Sequence, residues 1–487
     1  MKSTRYTLLF LIVLTLWGCD RSTGPEVEEA TAEKQFVWNG LNLWYFWQSD
    51  VNNLADNRFS DDQELYAFLN DFPNEREVFN ALLFNQDDFS FFIDDYEEFA
   101  DSQQGISQSF GFQFGLVRPD AGSSEIFGYV QYVFDSSAED AGLERGDIFT
   151  RVDGTQLTVN NFQDLLGRSS ITLTMAEIES TSPFSISETD ETVDIEAQIL
   201  QENPILVSKV LENGSTKIGY LSYNAFRFNF HGELNDAFGE FQAEGIDDLV
   251  LDLRYNGGGA VISSALLASM ISGQNDSNIF ASLIFNQKQE SNNSHFNFMD
   301  EVPIFDENRD VERVDPMNQL SLNRVFILTS SRTASASEAL INGLAPFIDV
   351  VVIGQQTVGK DDGSITVYDS PPNYNSRSNA NPDHMRAMQP IVFKIFNSNN
   401  EDFPNGFFPE QEVREINYLD DLPPLGDEKE PLLSAALEMI TGESPLARMR
   451  APALFHGEMV FESRDLLPLD REMYLLSGDL EGSYIEF

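Results

Sequence analysis

The chain has one cysteine, Cys19, in 487 residues. An intrachain disulfide is therefore excluded in any redox compartment. Basic residues are also scarce: 29 Lys and Arg stand against 80 Asp and Glu, for a formal net charge of −51. Such an acidic balance argues against nucleic acid and anionic membrane surfaces as partners. Histidine occurs four times, at His231, His295, His384 and His456, and none sits in a recognisable triad signature. No cluster of His, Cys and Asp has metal-ligand spacing, so neither a metal nor an organic cofactor is expected. There are no internal repeats.

What is present is ample apolar material, 41% hydrophobic residues with 40 Phe, in a chain long enough for about three domains. Lys2 and Arg5 precede an apolar run, Leu8 to Trp17, too short to span a bilayer but suited to a secretory signal. The run ends Leu16-Trp17-Gly18-Cys19, which resembles a bacterial lipobox. Residues 1–19 then read as a lipoprotein signal peptide, with Cys19 lipidated and residues 20–35 an acidic tether. The expected location is the bacterial cell envelope, on the periplasmic side or as an outer-membrane lipoprotein, with membrane contact only through that lipid. Residues 36–104 have helical periodicity, Trp38, Leu41, Tyr45, Leu65, Phe68 and Leu69 recurring at three- and four-residue steps, and predict an N-terminal helical bundle. Its aromatic cluster Trp44-Tyr45-Phe46-Trp47 is read as core packing.

The chemistry concentrates between Phe326 and Lys360. Val325 to Leu328 reads as a buried strand, Thr329 to Thr333 as a turn, Ala334 to Leu344 as a helix and Val350 to Ile353 as a second strand, with Gly354 and Gly359 framing a loop that delivers Lys360. Ser335 then stands at a helix N-terminus, where free N–H groups favour a developing oxyanion. With no histidine in place, a desolvated lysine is the alternative base. Ser335-Ala336-Ser337-Glu338 also matches a capping box, in which Ser335 only caps the helix. Upstream, Leu249 to Leu253 reads as a strand entering the glycine turn Gly257-Gly258-Gly259 and a helix from Ala260 to Ile271. No G-K-[ST] follows, so this is not a phosphate loop.

Thr333-Ala334-Ser335-Ala336-Ser337-Glu338 with Thr357-Val358-Gly359-Lys360, and Asp252-Leu253-Arg254-Tyr255-Asn256-Gly257-Gly258-Gly259, resemble the active-site elements of the C-terminal processing peptidases, or tail-specific proteases. The 25 residues from Ser335 to Lys360 are that family's spacing. The resemblance implies an α/β multidomain protein with a crotonase/ClpP-like protease core over residues 201–440. In it Ser335 is the nucleophile, Lys360 the general base, and the N–H groups of Gly257, Gly258 and Ala336 the oxyanion hole. Ser364 stands where many members have a Gln that orients the lysine, and Asp361 and Asp362 would favour the charged form of the amine. Lys217 to Leu221 is similar to the family's opening strand, and Asn405 to Glu410 to a late G-x-x-P-D element.

Residues 105–200 read as short strands, and Ala141-Gly142-Leu143-Glu144-Arg145-Gly146-Asp147-Ile148-Phe149 with Val152-Asp153-Gly154 look like a PDZ domain. By that likeness Phe110, Gly111 and Phe112 hold a peptide carboxylate, and the partners are proteins or peptides with accessible C-terminal tails. Asn373 to Pro390 is expected to form a flap near the site, His384 a surface-loop residue, and residues 441–487 a tail. The main reading is an envelope endopeptidase. Its rival is a catalytically inactive peptide- or ligand-binding lipoprotein on the same scaffold; a serine–lysine β-lactamase is disfavoured because no S-x-x-K lies near Ser335. The acidic excess is also what stays solvated in a saline setting, where salt screens self-repulsion. The melting temperature should accordingly rise from low to molar salt, and a melting series flat in salt would dismiss the idea.

Overall fold

Runs of β-branched and aromatic residues make the parallel centre of a six-stranded sheet: Thr216–Tyr223, Asp248–Asp252, Arg324–Thr329 and Asp349–Gly354 lie side by side in that order. Ile205–Asn213 edges it antiparallel on one side, and the short Gln411–Glu412 parallel on the other. Parallel neighbours need crossovers, which helices His231–Glu244, Val261–Ser272 and Ala336–Leu344 provide. Alternate side chains leave opposite faces of the sheet. Leu251 and Ile327 join a cluster with the helices just named, while Val250, Phe326 and Leu328 pack on Leu432, Leu433 and Ala436 of helix Pro431–Thr441. Burial on both faces explains why these strands read as unbroken apolar runs.

The computed structural model describes residues 27–487 except 121, 182–183, 307–308, 443–454, 456, 467–470, 477–484 and 487. The leader 1–19, Cys19 and the first part of the tether lie outside the described residues. No helix among the described residues is long and apolar enough to cross a membrane.

The two predicted strands of the Ser335 segment are each one residue longer at both ends than the apolar runs. The first helix, Ala32–Trp44, begins inside the segment read as tether, because the Thr31 side chain accepts from the Lys34 N–H and caps it. Helices Asp62–Asn70, Glu75–Ala81 and Tyr96–Gln103 follow, capped by Asp61, Asn74 and Asp95. This helical region shares its core with the rest of the chain. Phe36, Leu41, Trp44 and Tyr45 belong to the same cluster as Leu266 and Phe393, and strand Phe91–Ile93 pairs with Ala387–Gln389.

The expectation of a flap at Asn373 to Pro390 is corrected here. Tyr374 stacks on Phe36, the Trp44 indole donates to the Asn373 carbonyl at 2.7 Å, and Arg377 pairs with Glu97, so this stretch is clamped to the N-terminal helices. His384, expected on a surface loop, has a side chain only 8% exposed, its Nε2 3.2 Å from Asp369 Oδ2, fifteen positions back in the chain.

Within residues 105–200 the antiparallel strands Phe112–Arg118, Phe127–Val133, Ile148–Val152, Ser170–Thr181 and Phe184–Glu196 form a sheet around Phe114, Leu116, Val130, Phe149 and Leu173. Described parts of the C-terminal tail return to the molecule as strands. Glu458–Glu462 lies along Phe112–Arg118, Met473–Tyr474 lies between Gly259–Ala260 and Asp362–Ser364, and Ile485–Glu486 pairs with Ser294–Asn297.

His231 opens a crossover helix with its ring buried, Nδ1 3.0 Å from the Pro303 carbonyl and Nε2 2.7 Å from Ser263 Oγ. Burial pushes its pKa down to about 4 from 6.5. The fold thus prefers the neutral ring, and this contribution is complete above the unfolded value and lost as pH falls toward the folded one. The stability advantage of the wild type over His231→Gln should shrink by about 2 kcal/mol from about pH 7.5 to about pH 5. Urea unfolding at the two pH values tests this, and a gap independent of pH would contradict it.

Candidate active site

The strand Arg324–Thr329 ends in a tight turn, and the chain enters the helix Ala336–Leu344 through Ser335, whose φ of 64° and ψ of −119° no β-carbon-bearing residue adopts without strain. Such a conformation persists only where its surroundings over-determine it. Here the Ser335 N–H donates to Glu338 Oε2 at 2.8 Å, the Ala334 N–H to the Asn256 carbonyl, and Ser337 Oγ to the same Asn256 carbonyl at 3.1 Å. Glu338 therefore completes its half of the predicted capping box. The Ser335 hydroxyl is fully buried and placed toward the Glu338 N–H as the other half of the box, yet it makes no hydrogen bond of good geometry among the described residues. A buried hydroxyl left unpaired costs stability, so the site holds it there at a penalty.

The same carboxylate reaches the lysine loop. Glu338 Oε2 accepts from the Lys360 N–H at 2.9 Å, and Glu338 Oε1 from Gly359 N–H and Thr357 Oγ1, each at 2.6 Å. One oxygen thus lies within 3 Å of the backbone nitrogens of both Ser335 and Lys360. Burial pushes the Glu338 carboxyl up, opposed by these four donors. The Asn405 to Glu410 element braces the loop from below, Phe407 N–H donating to Thr357 Oγ1 at 2.8 Å. Gly359, at φ 91°, has the Pro404 carbonyl and Gly406 nitrogen where a β-carbon would stand, so no other residue fits without displacing backbone.

Lys360 is fully buried, its amine over the Phe89 ring at 4.8 Å and 3.1 Å from Glu472 Oε2. Glu472 in turn accepts from Ser364 Oγ at 2.7 Å, and Ser364 accepts from Gln389 Nε2 at 2.9 Å. Ser364, expected to touch the lysine, instead reaches it through Glu472. Burial raises the Glu472 carboxyl against the pull of Lys360 and Ser364. Asp361 and Asp362 both face Lys394, Asp361 in a direct ion pair and Asp362 at 3.7 Å. Their charge is answered there, with burial pushing the Asp362 carboxyl up.

The glycine turn closes the other side. The Gly258 N–H, expected to face an oxyanion, donates to Asn256 Oδ1 at 2.9 Å. The Gly259 N–H donates to the Glu472 carbonyl at 2.6 Å. A β-carbon at Gly258, φ 129°, would meet both that carbonyl and the Ser335 side chain. Gly257, Gly258, Ala336, Ser335 and Lys360 all come out buried.

Beneath the turn, Arg254 is 1% exposed and binds Asp252 at 2.7 Å, Glu415 at 3.0 Å and Glu430. Tyr255 donates to Glu415 at 2.7 Å, and Arg145 of the β-domain reaches the same carboxylate at 2.7 Å. Burial alone would raise the Glu415 carboxyl; Arg145 and Arg254 outweigh it and hold it down at about 2. In the β-domain, Phe110, Gly111 and Phe112 precede and begin the strand Phe112–Arg118, but the Gly111 N–H is occupied by Ser109 Oγ at 3.2 Å.

Sequence reasoning missed Glu472, Gln389 and Lys394, which carry no motif and lie far from Ser335 in the chain. Glu338 was visible only as a cap. No group of three or more His, Cys, Asp or Glu among the described residues is placed to hold a metal.

A strained serine at a strand-to-helix turn and a buried lysine on a glycine loop, their main chains joined by one carboxylate, sit in an α/β core of the kind serine hydrolases use. Residues 217–371 match peptidase family S41, and residues 32–91 match the peptidase S41 N-terminal domain. The chloroplastic C-terminal processing peptidase of Tetradesmus obliquus is 28% identical over 235 residues, 46% of this chain and 45% of that protein. The carboxyl-terminal-processing protease of a Picosynechococcus species is 24% identical over 284 residues, 54% of this chain and 61% of that one. A crystal structure described as an S41 protease from Bacteroides fragilis superposes with a TM-score of 0.66 at 25% identity, covering 84% of this chain and 97% of that one. Over residues 32–91 and 217–371 the chain is thus similar to the S41 peptidases, and its relatives include C-terminal processing proteases. It spans about half the length of the curated relatives it matches.

Replacing Glu338 by Gln leaves one acceptor oxygen for four donors and aims an amide at N–H groups. The expected loss is about 3 kcal/mol of stability, measured by urea unfolding, with Ser335 no longer labelled by a serine-directed phosphonate. Full stability with full labelling would show that Glu338 does not tie the two loops together.

Proposed function

We propose that this protein is a serine endopeptidase of the C-terminal processing type. Ser335 attacks a peptide carbonyl, Lys360 takes its proton and returns it to the leaving amine, and backbone N–H groups of the glycine turn and of Ala336 hold the tetrahedral oxyanion. Among the glycines, Gly257 fits that part better than Gly258 and Gly259, whose N–H groups are engaged by Asn256 and by the Glu472 carbonyl. The observation that carries the reading is Glu338, whose one oxygen holds the main chains of Ser335 and Lys360 together. A hydroxyl kept buried and unpaired is the further support. Lys360 acts when Glu472 has withdrawn, because an ammonium held in an ion pair has no lone pair to accept a proton.

Substrates are proteins or peptides with accessible C-terminal tails, recruited by the β-domain in the manner of a PDZ domain near Phe110, Gly111 and Phe112. Lipidated Cys19 would tether the enzyme in the cell envelope. A second reading, a binding protein without catalysis, is favoured by one fact only: Lys360 is already paired with Glu472. Reaction with a serine-directed phosphonate separates the two, labelling of Ser335 supporting the enzyme and none at any pH the binder.

Ser335→Ala should lower hydrolysis of an unfolded protein by about a thousandfold or more while the melting temperature holds or rises. Undiminished hydrolysis by that variant would refute the assignment.

A further inference from the structure

The C-terminal tail meets the edge of the β-domain, the glycine turn and Lys360. Its first described strand, Glu458–Glu462, runs antiparallel along the edge strand Phe112–Arg118, with Glu458 opposite Arg118 and Glu462 opposite Gly115. It therefore runs toward the loop that holds Phe110 and Gly111. Ser463 continues the pairing, its hydroxyl accepting from the Phe114 N–H at 2.9 Å and donating to Gln113. Arg332, three residues before Ser335, pairs with Glu462 at 3.4 Å and with Asp465.

Ten residues beyond Glu462 the chain enters the catalytic cleft as a strand between two strands. Gly259 lies opposite Met473 on one side, and Ser364 opposite Tyr474 on the other, both pairings parallel. The Gly259 N–H holds the Glu472 carbonyl at 2.6 Å, and the Leu475 N–H donates to the Ser364 carbonyl at 3.1 Å. The Glu472 side chain occupies Lys360, and Met473, Tyr474, Leu475 and Leu476 are all at most 4% exposed. An extended segment whose main chain is held on both sides and whose side chains fill pockets in turn is how peptides are read by strand addition.

We propose that residues 458–466 and 471–476 are resident peptide ligands bound in cis to a composite channel, which runs from the edge of strand Phe112–Arg118 to the slot between the glycine turn and the lysine loop. The proposal rests on the reading of Ser335 and Lys360 as the peptidase site. The ligand class follows from the occupant: an extended segment with an acidic side chain on Lys360, then four apolar residues. While the tail is seated, Lys360 is neutralised, the Gly259 N–H is used and the slot is filled, so a peptide in trans enters only as the tail leaves. The sheet edge and the cleft being filled by one segment ten residues apart, a substrate that engages both can displace it, whereas a short peptide engages only one.

The test uses the full chain with Ser335→Ala, so that binding is read without cleavage, and a fluorescein-labelled hexapeptide of the sequence Arg-Glu-Met-Tyr-Leu-Leu as probe. Tyr474→Asp buries a charge in the slot, and Glu472→Lys sets a second cation against Lys360. Each unseats the tail by a different route, and circular dichroism identifies a variant that has failed to fold, leaving the other to decide. The variants should bind the probe about tenfold or more tighter than the chain with its own tail, and a probe with Gln in place of Glu should bind them about tenfold more weakly. Equal binding to all chains, or binding to none, overturns the proposal. With Ser335 restored, the phosphonate should label both variants faster than the wild type. Probe binding that follows the tail while Ser335 stays unlabelled in every chain would sink the peptidase reading and leave the channel standing; wild-type labelling as fast as in the variants would sink the channel and leave the peptidase.

Discussion

A single buried carboxylate holds this site together. Glu338 takes four hydrogen bonds, from the backbone nitrogens of Ser335, Gly359 and Lys360 and from the Thr357 hydroxyl. Removing a carboxylate from water is expensive, and it is tolerated only where its lone pairs are all used. That demand forces two segments separated by a helix and a strand to meet at one point. It also holds Ser335 in a backbone conformation that it would not adopt alone.

A second buried charge does for the domains what Glu338 does for the loops. Arg254 leaves the sheet next to the glycine turn and is neutralised by Asp252, Glu415 and Glu430, while Arg145 from the β-domain shares Glu415. Buried pairs of this kind contribute little net stability over apolar packing, but losing one partner strands the others in a medium that cannot solvate them. The consequence is geometric. The β-domain sits against the glycine turn through charges that must stay matched, so the two cannot slide past one another without exposing or orphaning an ion.

Lys360 has a different solution to the same problem. It is as deeply buried as Glu338, yet its counter-charge comes from Glu472, 112 positions on in the chain. The acids adjacent to it, Asp361 and Asp362, turn to Lys394 on the neighbouring strand instead. The orienting role expected of Ser364 became indirect for a related reason: its hydroxyl lies among Gln389, Glu472 and Met473, and the lysine is one bond further away.

The strands and helices that carry Ser335, Lys360 and the glycine turn were legible in the amino-acid order, because apolar runs, caps and glycines act over a few residues and leave local marks. Val325 to Leu328 and Val350 to Ile353 were visible as buried strands, and the serine turn as a capping box, for that reason. What tertiary structure alone decided was partnership. Whether Ser335 is a cap or an unpaired hydroxyl, which glycine N–H is free, and which carboxylate meets Lys360 depend on residues brought together from distant parts of the chain. Hydrogen bonds and ion pairs act over about 3 Å, and only the folded path of the chain determines what lies within that distance.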